Sequence, residues 1–163
     1  MSSEFSAVTI DRPTDVFVED RGAIRILSLS RGKANALSTE FAHALHNAAL
    51  AAQEDPSVRG VVLTSTNPKI FSAGFDLRKL AHATDEEFAR FVRVFDSLFF
   101  DLFLLGKPLV AALTGHAVAG GALLASTADF RIAADVADEN DFVDAARHGA
   151  ARPPKKCSNS VLL

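Results

Sequence analysis

Cysteine is nearly absent from this chain: Cys157 stands alone. That excludes an intrachain disulfide framework and fits a reducing, cytoplasmic setting. Its polar surroundings read as those of an inert thiol. An excess of positive charge is missing as well. The formal net charge is −3, so the basic face that nucleic-acid binding depends on is not expected, and neither is a nucleic-acid partner. No apolar run approaches the roughly 20 residues of a membrane-spanning helix. The two strongest, 99–105 and Leu109–Leu113, are separated by Gly106, Lys107 and Pro108. The first ten residues carry Glu4 and no basic cluster, which argues against a secretory leader. No internal repeat is visible.

What the chain does contain is the balance of an ordinary globular domain: 163 residues, 48% hydrophobic and 23% charged. One core is the natural expectation at this length. Weak alternation over 16–19, turn chemistry at Asp20-Arg21-Gly22 and a strand over 23–29 predict a hairpin. Ile24, Ile26 and Ser28 fall on one face of it, with Arg25, Leu27 and Leu29 on the other. Ser38 or Thr39 can cap a helix over 40–53 whose stripe is Phe41, Leu45, Ala48, Ala49 and Ala52. Asp55-Pro56 ends it. A β-branched run at 58–64 predicts a buried strand, and 65–75 a loop. Thr84-Asp85-Glu86-Glu87 is a capping box opening a long helix to about residue 105, closed by Gly106. Its stripe comprises Phe88, Phe91, Val92, Phe95, Leu98, Phe99 and Leu102. A strand at Leu109–Leu113, a small-residue stretch, a helix over 122–127 and a strand at Phe130–Ala134 follow. The order argues an α/β domain with a largely parallel, covered sheet. Residues 138–163 are acidic and then basic with Pro153-Pro154, and read as a poorly ordered tail without strands, apart from a core ending at 137.

Two glycine-bearing loops each follow a strand: Phe71-Ser72-Ala73-Gly74-Phe75-Asp76-Leu77 and Gly115-His116-Ala117-Val118-Ala119-Gly120-Gly121. Gly120 precedes a helix, whose first N–H groups are unpaired and electropositive. With a second donor from the loop around Gly74-Phe75, it could complete an oxyanion hole for an enolate or tetrahedral oxyanion. The plainer reading is that glycines make turns. His43 and His46 lie three apart on the first helix without a third ligand, so no metal site is expected. His116 could serve as a base or simply as a hydrogen-bonded loop residue.

Five blocks occur in order: Arg31-x-x-x-Asn35-Ala36-Leu37, Phe71 to Leu77, Lys107-Pro108-Leu109-Val110-Ala111-Ala112-Leu113-Thr114-Gly115, Ala119-Gly120-Gly121, and Ala128-Asp129-Phe130-Arg131-Ile132-Ala133-Ala134. Together, over about residues 15–137, they resemble the signature of the crotonase (enoyl-CoA hydratase/isomerase) superfamily. The resemblance implies an α/β crotonase-like spiral of ββα units, incomplete toward the C-terminal end. It implies an acyl-CoA thioester ligand, with coenzyme A as part of the substrate and no separate cofactor, and homotrimers or hexamers. Position by position, it makes the backbone amides of Phe75 and Gly120 the oxyanion donors. Ala73, Gly74, Asp76, Leu77 and Arg78 match the stretch along the CoA chain, and Lys33 and Ala34 border the adenine pocket. Arg78, Lys79 or Lys33 could pair with CoA phosphates.

The chain departs from that pattern at two places. Hydratases of the family place a glutamate three residues after the first glycine of the pair, where this chain has Leu123. Ala119-Gly120-Gly121-Ala122-Leu123 looks closer to the Δ3,Δ2-enoyl-CoA isomerase branch, which manages with one glutamate further on. No residue beyond 137 matches that motif; Glu139, Asp141 and Asp144 are only nearby carboxylates. Two readings therefore stand: an enoyl-CoA isomerase/hydratase acting in acyl-CoA metabolism, or a truncated, non-catalytic remnant keeping a partial CoA site or a partner surface. An incomplete C-terminal half would also leave Phe91, Phe95 and Phe99 uncovered.

Overall fold

The computed structural model describes residues 15–134 and the backbone of residues 159–162. Elements follow in the order β1 (Val16–Arg21), β2 (Ile24–Leu29), α1 (Thr39–Glu54), β3 (Gly60–Ser65), β4 (Ile70–Ser72), α2 (Leu77–Leu80), α3 (Asp85–Phe103), β5 (Leu109–Leu113), β6 (His116–Ala117), α4 (Gly120–Ser126), β7 (Phe130–Ala134) and β8 (Asn159–Leu162). Two strands followed by helix recur three times before β7, which is the expected spiral of ββα units. One sheet has the order β1-β2-β3-β5-β7-β8, and β4 and β6 form a small second sheet. The centre of the large sheet is parallel and its two edge pairs are antiparallel.

Local chemistry explains the long elements. Gly22 takes φ +61° at the turn of the hairpin, a value L-residues seldom adopt. Ser38 accepts from the Phe41 N–H and so caps α1. Thr84 and Glu87 complete a reciprocal capping box on α3. Helix α1 packs on the sheet beside β1 and β2, and α3 packs against α1; the sheet face carrying Leu27, Leu29, Val61, Leu63, Leu109, Ala111 and Leu113 is buried. That face also holds Arg25, whose guanidinium reaches Asp20, Asp55 and the Ala51 carbonyl and ties the hairpin to the end of α1. The opposite face leaves Ile24, Phe130 and Ile132 exposed, so among the described residues the sheet is covered on one side rather than two. No helix among the described residues is long and apolar enough to cross a membrane.

Several expectations are corrected. Strands β4 and β6 lie in stretches read as loop or as small residues, and helix α2 lies in a stretch to which no element is assigned; all three are too short to show a period. α3 ends at Phe103, with Leu104 as its C-cap, before Gly106 is reached. Phe91 and Phe95 are not uncovered: they are 3% and 7% exposed, because they pack around the Phe75 ring. The exposed members of α3 are Phe88, Val92, Phe100 and Phe103. A strand was not expected beyond residue 138, yet Asn159–Leu162 pairs antiparallel with β7. The expected boundary at 137 and the rest of the tail lie outside the described residues.

The β4–β6 pair depends on Gly115. A Cβ there would sit 2.0 Å from the Lys69 carbonyl oxygen and 2.1 Å from its carbon, and backbone cannot step aside as a side chain can. Gly115→Ala should cost about 3 kcal/mol or more in denaturant unfolding. Gly106→Ala, whose Cβ would meet nothing within 4 Å, should stay within about 0.5 kcal/mol of the parent. Equal stabilities for the two variants would refute this account of the loop.

Candidate active site

The site is built from the two glycine loops, and the peptide before Phe75 is its best-defined part. The Leu37 N–H donates to the Gly74 carbonyl at 2.7 Å, and the Asp76 N–H donates to the Leu37 carbonyl at 2.9 Å. Leu37 and Phe75 thus form an isolated parallel bridge. No peptide bond among the described residues is cis, so the Phe75 N–H lies opposite the Gly74 oxygen and is aimed away from Leu37. On its other side this loop meets the start of α4. Gly74 has φ +85°, and a Cβ on it would lie 2.7 Å from the Val118 oxygen and 2.9 Å from the Gly120 nitrogen. A Cβ on Gly120 would strike the Phe75 ring at 2.5 Å, and one on Gly121 would strike the Ser72 carbonyl oxygen at 2.5 Å. Neither the Phe75 nor the Gly120 amide donates to another described residue.

The Phe75 ring is clamped edge-on by two rings of α3, Phe91 at 5.2 Å and Phe95 at 4.8 Å between centroids. Ala119, at the turn into α4, holds φ +45° and ψ −116°, a backbone region costly for a residue with a Cβ. Beneath the loops lies a polar layer. Asn35 is buried at φ +47°. Its side-chain amide donates to the Ser65 hydroxyl and the Phe71 carbonyl, while its Oδ1 accepts from the Arg31 N–H. Arg31 in turn pairs with Asp76 at 3.2 Å and Asp15 at 3.5 Å, donates to the Ala36 carbonyl, and lies over the Phe41 ring.

An open groove of about 540 Å³ runs beside Asp76, lined among others by Ser38, Glu40, Arg78, Lys79 and Arg90. Glu40 pairs with Lys79 at 3.0 Å. The Ser38 hydroxyl, then the Glu40 backbone N–H, then the Lys79 ammonium draw its carboxyl down to about 2. Arg78 and Arg90 form no ion pair among the described residues, so two guanidinium groups remain for anionic ligand groups.

The structure therefore brings together most residues singled out in the sequence. Ala34 accepts from the Ala73 N–H at 2.9 Å, which ties its loop to the Gly74–Phe75–Asp76 segment that meets Gly120. Leu77, 72% exposed, and Arg78 follow on α2 at the groove. Lys33 is exposed on the neighbouring loop, its carbonyl held by Asn67. Leu123 lies half exposed on α4. His46 is engaged with Asp101 of α3 at 2.5 Å, and no group of three metal-ligating side chains occurs among the described residues. Cys157, His148, Glu139, Asp141 and Asp144 lie outside the described residues. Arg31, Asn35 and Ser72 stand in the signature blocks without an assigned role in the site, and Ser65 stands outside them.

Comparison with known proteins agrees with this architecture. The family model described as enoyl-CoA hydratase/isomerase matches residues 19–146. Enoyl-CoA delta isomerase 1, mitochondrial, of Rattus norvegicus is 36% identical over 122 residues, covering 74% of this chain and 42% of the relative. Carnitinyl-CoA dehydratase of Salmonella arizonae is 41% identical over 116 residues, covering 70% and 43%. The crystal structure of human mitochondrial delta3-delta2-enoyl-CoA isomerase superposes with a TM-score of 0.70 at 33% identity, covering 72% of this chain and 46% of that one. The fold is that of the crotonase group, and the chain belongs to the enoyl-CoA hydratase/isomerase family. It spans less than half the length of the relatives it matches here.

The lowered Glu40 carboxyl has a consequence for stability. A group depressed in the folded state stabilises above its ordinary range near 4.5 and loses that contribution as pH falls toward 2. The carboxylate is well exposed, so the effect is small. The urea midpoint of the parent should fall more between pH 5 and pH 2 than that of Glu40→Gln. Parallel curves would show that the Ser38–Glu40–Lys79 contacts contribute nothing.

Proposed function

We propose that this chain binds an acyl-CoA thioester and polarises its carbonyl between the backbone amides of Phe75 and Gly120, in the enolate chemistry of enoyl-CoA isomerases and hydratases. The observation that carries the reading is the interlock of the two loops. Gly74 and Gly120 bring two backbones into contact, and both amides are left without a partner among the described residues. A carbonyl oxygen placed between them would accept two N–H donors and gain negative charge, which lowers the cost of forming an enolate. Ala73, Gly74, Asp76, Leu77 and Arg78, with Lys33 and Ala34, would follow the CoA chain. Arg78 and Arg90 offer charge for its phosphates. Coenzyme A enters as part of the substrate.

Enolate formation also needs a base at the C2 proton, and a positioned base contributes a factor of roughly 100 to 10,000. Leu123 occupies the place of the hydratase glutamate and cannot supply one. Leu123 therefore speaks against hydration and is compatible with isomerisation; the second reading, a non-catalytic remnant that keeps the thioester site, rests on the missing match to the isomerase glutamate motif beyond residue 137. Assembly into homotrimers or hexamers and a cytoplasmic site of action belong to the same proposal. The exposed Phe100, Phe103 and Leu104 and the single cysteine support them.

The test is calorimetric titration of the full chain with a 3-enoyl-CoA, together with the absorbance of the conjugated 2-enoyl product. Binding is expected, with turnover lower by about 100- to 10,000-fold than a positioned base would give. Gly120→Ala, whose methyl would displace the Phe75 ring, should weaken whatever turnover remains by roughly 100-fold. No binding of any enoyl-CoA would end the acyl-CoA reading. Rapid turnover abolished by Glu139→Gln or Asp144→Asn would assign the base to the acidic stretch and end the remnant reading.

A further inference from the structure

The Phe75 amide can act as a donor only if the Gly74–Phe75 peptide is held at a fixed tilt, and the groups that set this tilt lie outside the pair of amides. The peptide's oxygen is gripped by the Leu37 N–H at 2.7 Å. Leu37 is two residues from Asn35, which is itself fixed from several directions. Its Nδ2 donates to Ser65 Oγ at 2.8 Å and to the Phe71 carbonyl at 2.9 Å, and its Oδ1 accepts from the Arg31 N–H at 2.7 Å. Its own carbonyl accepts from the Ser72 hydroxyl at 2.8 Å, and that hydroxyl accepts from the Gly74 N–H at 3.1 Å. A hydrogen-bonded relay thus runs from the Asn35 carbonyl through Ser72 to one side of Gly74, while Leu37 holds the other. Both Asn35 and Ser72 are buried, at 1% and 0% exposure, so water cannot substitute for either link.

We infer that Asn35, acting through Ser72, is the positioning residue that aims the Phe75 N–H at the thioester oxygen; this rests on the oxyanion reading given above. Asparagine suits the position for two separate reasons. It tolerates the left-handed backbone at φ +47° better than most residues, and its primary amide has the two donors and one acceptor that Ser65, Phe71 and Arg31 require. The reaction depends on the second property. A donor displaced by a fraction of an ångström from the developing oxyanion loses most of its differential stabilisation, because the gain comes from preorganisation.

The test uses the full chain and 4-(dimethylamino)cinnamoyl-CoA, a push–pull thioester whose absorption band moves to the red as donors polarise its carbonyl. Asn35→Gly keeps the left-handed backbone accessible and deletes the amide. Ser72→Ala breaks the relay while leaving Asn35 in place. In the wild-type chain the bound band should be red-shifted. In both variants affinity should stay within about threefold while the red shift of the bound molecule falls by roughly half or more, since CoA contacts are kept and carbonyl polarisation is not. A merely structural Asn35 would lower the melting temperature and leave the shift per bound molecule intact. That result in the two variants overturns the inference and spares the oxyanion reading. Bound ligand with no shift in the wild-type chain overturns the oxyanion reading and the inference with it. Should Asn35→Gly not fold, Ser72→Ala alone decides, because a loss or retention of the shift there has the same meaning.

Discussion

Backbone meets backbone where residues 72–75 cross residues 118–121, and there is no volume at that crossing for a Cβ. Gly74, Gly120 and Gly121 each lack the carbon that would fall within 3 Å of main-chain or aromatic atoms of the other loop. Contact this close does several things at once. It lets the Val118 N–H reach the Ser72 carbonyl at 2.9 Å, lets β4 and β6 pair, and sets the direction in which α4 leaves its loop. It also places the Phe75 ring over Gly120, where Phe91 and Phe95 can flank it. The aromatic clamp from α3 and the polar layer around Asn35 then hold the crossing from opposite sides. One is apolar and non-directional, and the other is hydrogen-bonded and angle-sensitive.

Much of this was legible in the residues alone, and the reason differs between elements. Helices α1 and α3 are long enough to show the 3.6 period, and their caps at Ser38 and Thr84 are local chemistry. Strands β3, β5 and β7 are compact β-branched or apolar runs that a parallel sheet requires. By contrast β6 has two residues and β4 three, too few for alternation to be seen. Their pairing is decided by the glycine at 115 rather than by their own side chains. The width of the α3 stripe was readable, but which part of it faces the core was not. Phe91 and Phe95 are buried because a phenylalanine from a distant loop comes to lie between them.

The candidate site divides in the same way. Gly74, Phe75 and Gly120 stand out because glycine beside a strand end or helix start has a backbone meaning that needs no partner. Asn35 and Ser72 belong to signature blocks, but nothing in the residues themselves marks their role, and Ser65 carries no mark at all. Their significance lies in hydrogen bonds spanning 30 to 37 residues of sequence, and a serine in a loop reads the same whether it faces water or a buried asparagine. The polar residues of such a layer become recognisable only once the apolar elements have brought them together.

The separation of the two sheets bears on the order in which the protein takes shape. Strands β4 and β6 come directly after β3 and β5, and those two are neighbours in the large sheet, with Val62 level with Val110. The loops of the site therefore cannot meet until a pairing across nearly fifty residues of sequence has closed, a contact of the slow, non-local kind. Once it has closed, the small sheet, the Phe75 ring and the buried Asn35–Ser72 layer lock the crossing in place. The site therefore forms late, after the large sheet on which its loops are mounted.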